Sequence, residues 1–241
     1  MKLLKSITVL AFLLSTTLSC AQWGNGKKIK GDNNITTTTR STSSYEGLKA
    51  AGPMDFKLVQ GKEGEITIKG DANLMEYIVT EIKDNKLVVK VKKGINLKPS
   101  QTIVVTVPYE SINSVSLAGS GDIENSGTIK ADEFKVSLAG SGDINLNVSA
   151  KSIESAIAGS GDIELTGTTT DLTTKIAGSG DFNGKSLKST NVDAKIAGSG
   201  DIYVVCNGEL KARVTGSGDV KYSGKPTNKD TKITGSGSVS N

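Results

Sequence analysis

Histidine is missing from all 241 residues. Its absence removes the commonest general base and the commonest neutral metal ligand together. Aromatic residues make up 4% of the chain, too few for a thick globular core. There are two cysteines, Cys20 and Cys206, so no disulfide framework can carry the fold. Basic side chains are scattered, with a positive excess before residue 110 and a slight acidic excess after it. No polybasic patch forms, so a nucleic-acid partner is not expected. The one long apolar run, Ile7 to Leu14, is too short to span a bilayer as a helix.

Lys2 and Lys5 precede that run, and Ser15-Thr16-Thr17-Leu18-Ser19-Cys20-Ala21 follows it. A charged start, a short apolar stretch and small residues at the exit predict a signal peptide over residues 1–21. The chain is therefore expected to be exported, to the periplasm or surface of a bacterium. Cleavage has two readings. Ser19 and Ala21 fit a small-x-small site and leave a soluble chain starting at Gln22; alternatively Cys20 is lipidated and anchors the protein. Cys206 lies in Tyr203-Val204-Val205-Cys206 and is expected to be a small core residue.

Glycine is abundant, 28 residues, with no three-residue period. Gly-Ser-Gly starts at Gly119, Gly140, Gly159, Gly178, Gly198, Gly216 and Gly235, and its second glycines are Gly121, Gly142, Gly161, Gly180, Gly200, Gly218 and Gly237. Asp122, Asp143, Asp162, Asp181, Asp201 and Asp219 follow six of the seven; Ser238 follows the last. Two residues before each motif stand Leu117, Leu138, Ile157, Ile176, Ile196, Val214 and Ile233. Directly after each stand Ile123, Ile144, Ile163, Phe182, Ile202, Val220 and Val239. Apolar residues at period two on both sides of a glycine corner mean strands with one face buried. Glycine suits a sharp corner because positive φ costs it nothing. Second turn signals stand at Ser126-Gly127, Thr166-Gly167, Asn207-Gly208 and Ser223-Gly224. One asymmetric corner per turn of about 20 residues favours an all-β parallel β-helix, a β-solenoid of stacked coils, over an antiparallel meander.

Upstream of the repeat domain (111–241) the pattern is looser. Residues 22–44, rich in Thr, Ser and Gly, are expected to be a tether or an irregular first coil. Residues 45–110 are expected to be a β segment that caps the solenoid, with one short helix from Leu74 to Ile82. A cap is needed because an open row of strand N–H and C=O groups recruits other chains.

The repeats, together with Phe56-Lys57-Leu58-Val59-Gln60-Gly61, Glu65-Ile66-Thr67-Ile68-Lys69-Gly70, Asn73-Leu74, Asn85-Lys86-Leu87-Val88-Val89 and Val105-Thr106-Val107-Pro108, resemble the bacterial family called putative auto-transporter adhesin, head GIN domain. The resemblance covers most of residues 45–241. It implies a right-handed parallel β-helix, similar in shape to pectin-lyase-like folds but without their catalytic residues. It also implies an adhesion-type role, and it brings no functional residues to transfer.

Six aspartates at one position in successive coils repel by about 0.8 kcal/mol per neighbouring pair in water and about 3 kcal/mol at an effective dielectric of 20. Turn N–H groups donating to the carboxylates would offset this. So would the cations Lys175, Lys195, Arg213 and Lys232, three residues before the last four of the Gly-Ser-Gly motifs. A calcium ladder is the rival, but calcium-binding solenoid repeats space their Asp differently. No cofactor and no metal site is expected. Because the motif residues recur in nearly every coil, they serve architecture; a catalytic set is local and breaks such symmetry. The expected function is a non-catalytic adhesion or interaction module for a surface glycan or protein. An envelope scaffold or sensor is the alternative, with Tyr203, Tyr222 and the lysine ladder as contacts, and a polysaccharide-processing enzyme comes third. Repeats also make templates for a homo-oligomer.

Overall fold

The computed structural model describes residues 26–241, so the signal peptide and Cys20 lie outside the described residues. Parallel coils stack into a β-solenoid of about seven turns, each of about 19 residues; 70% of the residues are strand and 3% helix. The corner glycines are in register from coil to coil: Gly119 pairs with Gly140, then Gly159, Gly178, Gly198, Gly216 and Gly235. Between corners the chain runs as one long strand in the central coils, Ile144–Gly159, Ile163–Gly178 and Phe182–Gly198. Pairing skips one residue per coil, at Lys151 against Thr170 for example, where the strand bends. Gly167, at φ +118°, makes a further bend without breaking the ladder.

Alternation along each strand fills a narrow core. Val136 and Leu138 are buried, as are Ile144, Leu146 and Val148 in the next coil. Phe56, Phe134 and Phe182 are the largest side chains fully inside. A core this thin needs few aromatics, which accounts for their scarcity. Cys206 is fully buried, its Sγ 3.4 Å from the carbonyls of Thr190 and Glu209, and burial pushes its thiol pKa up. The outermost coil differs: Asn228–Gly235 is exposed throughout, with Ile233 44% exposed.

The rod begins earlier than the Gly-Ser-Gly motifs do. Gly47–Gly52 pairs in parallel with Ser114–Gly119, and Met54–Gln60 with Ile123–Ser126. Gly52-Pro53-Met54-Asp55 thus forms a corner on the same ridge, with Gly52 at φ +122°. On its other side this coil pairs with Lys86–Val91 and Ile103–Tyr109, which come later in the chain. The chain therefore enters the rod one coil inside, builds the cap, and returns at Ser114.

Residues 26–44 are neither tether nor coil. Lys27–Lys30 pairs in parallel with Ile95–Lys98, and Ile35–Ser41 lies antiparallel on Glu65–Asp71. Threonine's branched Cβ suits the extended backbone there. The expected helix is also shorter. Ala72–Tyr77 is a 3₁₀ helix, and Ile78–Lys83 is a strand paired antiparallel with Lys86–Val91. The β-branched run Ile78-Val79-Thr80 opposes continued helix, and Asp84-Asn85, both at positive φ, closes the hairpin.

Two side chains lock the cap. The Arg40 guanidinium donates to Ile78 O (2.6 Å), Met75 O (2.7 Å) and Thr80 Oγ1 (2.9 Å), tying the first strands to the 3₁₀ helix and hairpin. Asp71, fully buried, accepts from the Ser100 hydroxyl (2.6 Å) and from the amides of Ser100 and Asn33 (2.9 Å each). Those bonds, the Ser100 hydroxyl's first, outweigh desolvation and hold its carboxyl below the ordinary range.

Candidate functional site: the aspartate ridge and the face beside it

Two demands meet at each corner. The first glycine adopts φ between +126° and +145° from Gly119 to Gly235. The second glycine stands where backbones touch: a Cβ on Gly161 would lie 2.0 Å from Gly142 O, and one on Gly142 would lie 1.9 Å from Gly121 O. Only hydrogen fits between such coils. Backbone bonds such as Ser141 N to Gly119 O (3.0 Å) complete the stack.

The aspartates form a hydrogen-bonded ladder between coils. Each carboxylate Oδ1 accepts the amide N–H of the aspartate one coil on: Asp143 N to Asp122 (3.0 Å), Asp162 N to Asp143 (3.0 Å), Asp181 N to Asp162 (2.7 Å), Asp201 N to Asp181 (2.7 Å) and Asp219 N to Asp201 (2.8 Å). Asp55 is an unforeseen first rung, accepting from Asp122 N at 3.1 Å. Ser238 ends the series, giving both N–H (2.8 Å) and hydroxyl (2.9 Å) to Asp219. A charge-assisted bond contributes roughly 1.5–3 kcal/mol, enough to offset the repulsion between solvated neighbours. At half-buried Asp55, burial and the Asp122 and Glu124 charges raise the carboxyl's pKa against that bond.

The basic ladder takes no part in this. Lys175 pairs with Glu154 (3.1 Å), Lys195 with Asp193 (2.9 Å), and Arg213 with Asp230. Relief of the aspartates by these cations, as expected from the sequence, is corrected: Lys175, Lys195 and Arg213 project from the face before the corner and meet acids of that same face, and Lys232 makes no ion pair among the described residues. Among the described residues no group of three or more His, Cys, Asp or Glu side chains is arranged to hold a metal ion.

Past the corner lies the face where the repeat loses its symmetry. Its outward residues one position beyond the first apolar residue are Lys57, Glu124, Asn145, Glu164, Asn183, Tyr203 and Lys221, stacked in register. Asp143, Asp162, Asp181, Asn145, Glu164, Asn183, Lys185 and Tyr203 line a hollow of about 390 Å³. A second hollow, about 340 Å³, adjoins it through Asn145 and Glu164 and ends at Asn125, Asn147 and Thr166. One added residue makes this region irregular. The spacing from Gly178 to Gly198 is 20 residues; the ladder slips by one residue against the preceding coil, where Glu164–Thr166 faces Asn183–Ser186, and leaves residues 185–187 unpaired against the following coil. The bulge throws Lys185 outward, its Nζ 4.0 Å from the Tyr203 ring centroid; Lys221 stands at 5.3 Å. Tyr203 is thus fixed in place, its hydroxyl 3.3 Å from Asp201 Oδ2. Tyr222, packed partly against the core, meets Lys229 instead. Sequence reasoning singled out Tyr203 but missed Asn145, Asn183 and Lys185. The one-residue lengthening of that coil was the available signal.

Fold and ridge together define a class, a short parallel solenoid whose motif residues are spent on stacking. The chain belongs to the family described as putative auto-transporter adhesin, head GIN domain, whose model matches residues 44–226. A solved structure of a putative adhesin from Bacteroides fragilis NCTC 9343 superposes with a TM-score of 0.82 at 24% identity, covering 88% of this chain and 99% of that one. A structure described as a putative lipid binding protein, from Parabacteroides distasonis ATCC 8503, gives 0.74 at 26%, covering 89% and 99%. A putative adhesin from Parabacteroides merdae ATCC 43184 gives 0.70 at 23%, covering 88% and 98%. No curated protein matches the chain.

Proposed function

We propose that this protein is an exported, non-catalytic adhesion module that works at the bacterial surface or in the periplasm. One observation carries the reading. The residues that define the chain, its corner glycines and aspartates, are consumed in coil-to-coil backbone contacts, leaving a stiff rod that displays outward ladders of polar side chains. A stiff display surface suits multivalent attachment, because repeated weak contacts add without further ordering cost. Family membership points the same way.

The test uses the purified chain from Gln22 on surfaces coated with bacterial envelope polysaccharide or mucin. Retention that rises with surface density, with no sugar released into solution, supports the reading. Absence of retention on every surface, or accumulation of a cleaved product, overturns it.

A further inference from the structure

We infer that the trough formed by the two hollows beside the aspartate ridge is a saccharide-binding site, selective for neutral or amino sugars over uronic acids. This deepens the adhesion reading and rests on it. The trough differs from the rest of the rod in two independent ways. It holds the bulge at Gly184–Lys188, and its outward ladder alternates amides with a carboxylate, Asn145, Glu164, Asn183, before ending in Tyr203. Bulges commonly re-aim a side chain beside a functional site.

The hydrogen-bonding inventory points to a polyol. The Oδ1 atoms of Asp143, Asp162 and Asp181 are occupied by backbone amides, which fixes each carboxylate and leaves its Oδ2 as an acceptor at coil spacing, about 4.8 Å. Asn183 Oδ1 accepts the Lys185 amide (3.3 Å), so its Nδ2 is the group presented outward as a donor. Glu164 makes no ion pair among the described residues and stands between the two amides. Thr166, which takes the Asn147 amide at 2.9 Å, closes the far end. Fixed acceptors alternating with donors across several coils match the alternating hydroxyls of a sugar chain. The other ligand classes fit worse. A metal ion lacks three converging acids, an anion would face four carboxylates against Lys185, and an apolar ligand would strip water from a polar lining at a cost of kilocalories per unpaired group.

Chemical-shift mapping and titration calorimetry on the chain from Gln22 test this. The probes are trimers of glucose, N-acetylglucosamine, glucosamine, mannose, galactose and galacturonic acid. At least one neutral or amino-sugar trimer is expected to bind, moving resonances of Asn145, Asn183 and Tyr203, while the galacturonate trimer binds more weakly. Asn183→Ala and Glu164→Gln should each weaken binding about tenfold, equivalent to 1.4 kcal/mol. Both are outward side chains, so the thermal midpoint should hold; Lys175→Ala, on the other face, should bind as wild type does. EDTA should change nothing. Failure of every trimer to bind, loss of binding in EDTA, or affinity within twofold of wild type in both trough variants would overturn the site. If the trough variants still adhere to the coated surfaces as wild type does, the saccharide site falls and the adhesion reading stands.

Discussion

The two parts of this rod are held together by opposite means. In the repeat, the decisive groups are hydrogens: corner glycines let backbones come so close that any side chain would intrude, and the same contact recurs in each coil. In the cap, individual polar side chains do the fastening. Arg40 reaches three acceptors on two elements, and Asp71 gathers three donors from two loops. A repeat can spread its stability over many equal interfaces, whereas a terminus must meet each unpaired strand edge with a particular residue. Damage to either should therefore look different.

The largest effect is expected in the middle of the ridge. Gly161→Ala drives a Cβ to 2.0 Å from Gly142 O, with coils on both sides that cannot yield. It should cost about 3–4 kcal/mol and lower the denaturant midpoint sharply. Gly237→Ala makes an equally close contact, 2.0 Å from Gly218 O, but in an outermost coil that is exposed and able to shift. Its cost should be about 1 kcal/mol by the same measurement. Equal penalties at the two positions would mean that the corner, and not the stack, sets the requirement for glycine.

The cap should break more gently. Arg40→Ala leaves the carbonyls of Met75 and Ile78 short of a donor and should cost about 2–3 kcal/mol in urea unfolding. Arg40→Lys should recover less than half of that, because an ammonium cannot fork between the two elements. Asp71 adds a pH signature. Its folded-state pKa is depressed, so its contribution is complete above the unfolded value of about 3.9 and disappears as pH falls through the lower folded value. Asp71→Asn should be clearly less stable than wild type at pH 6, and the gap should narrow below about pH 4. A gap independent of pH would show that Asp71 acts through packing alone.

The same contrast explains how much the sequence discloses. The corners announce themselves because both demands, positive φ and no Cβ, select one residue type at a fixed interval. The family's fold follows from that rhythm alone. The corner at Gly52-Pro53-Met54-Asp55 keeps only its first glycine, because the neighbour on that side is Val91 rather than another corner, and it drops out of a search for Gly-Ser-Gly. Its Ala51 before and Phe56 after still match the pattern Ala118, Ile123. Arg40 and Asp71 carry no local signal, since their partners lie 29 to 40 residues away. The trough is intermediate: its Asn and Glu residues look like ordinary solvated strand positions, and only the inserted residue before Lys185 marks the coil.

The smallest effect tests what the aspartates are for. If the ladder is hydrogen-bonded turn chemistry, Asp162→Asn keeps an Oδ1 acceptor for the Asp181 amide and removes one charge from a line of like charges. The balance should lie within about 0.5 kcal/mol of wild type, on the stabilising side in low salt, and shrink as salt screens the neighbours. Asp162→Ala strips the acceptor as well and should be about 1 kcal/mol less stable than Asp162→Asn at any salt concentration, a modest cost because an exposed amide can still turn to water. A calcium ladder predicts instead that both variants lose the stabilisation by that ion, since each removes a charged ligand shared by two coils. Thermal melts of wild type and both variants, with and without calcium, separate the two. A midpoint that rises with calcium in wild type but not in Asp162→Asn would sink the hydrogen-bond account of the ridge.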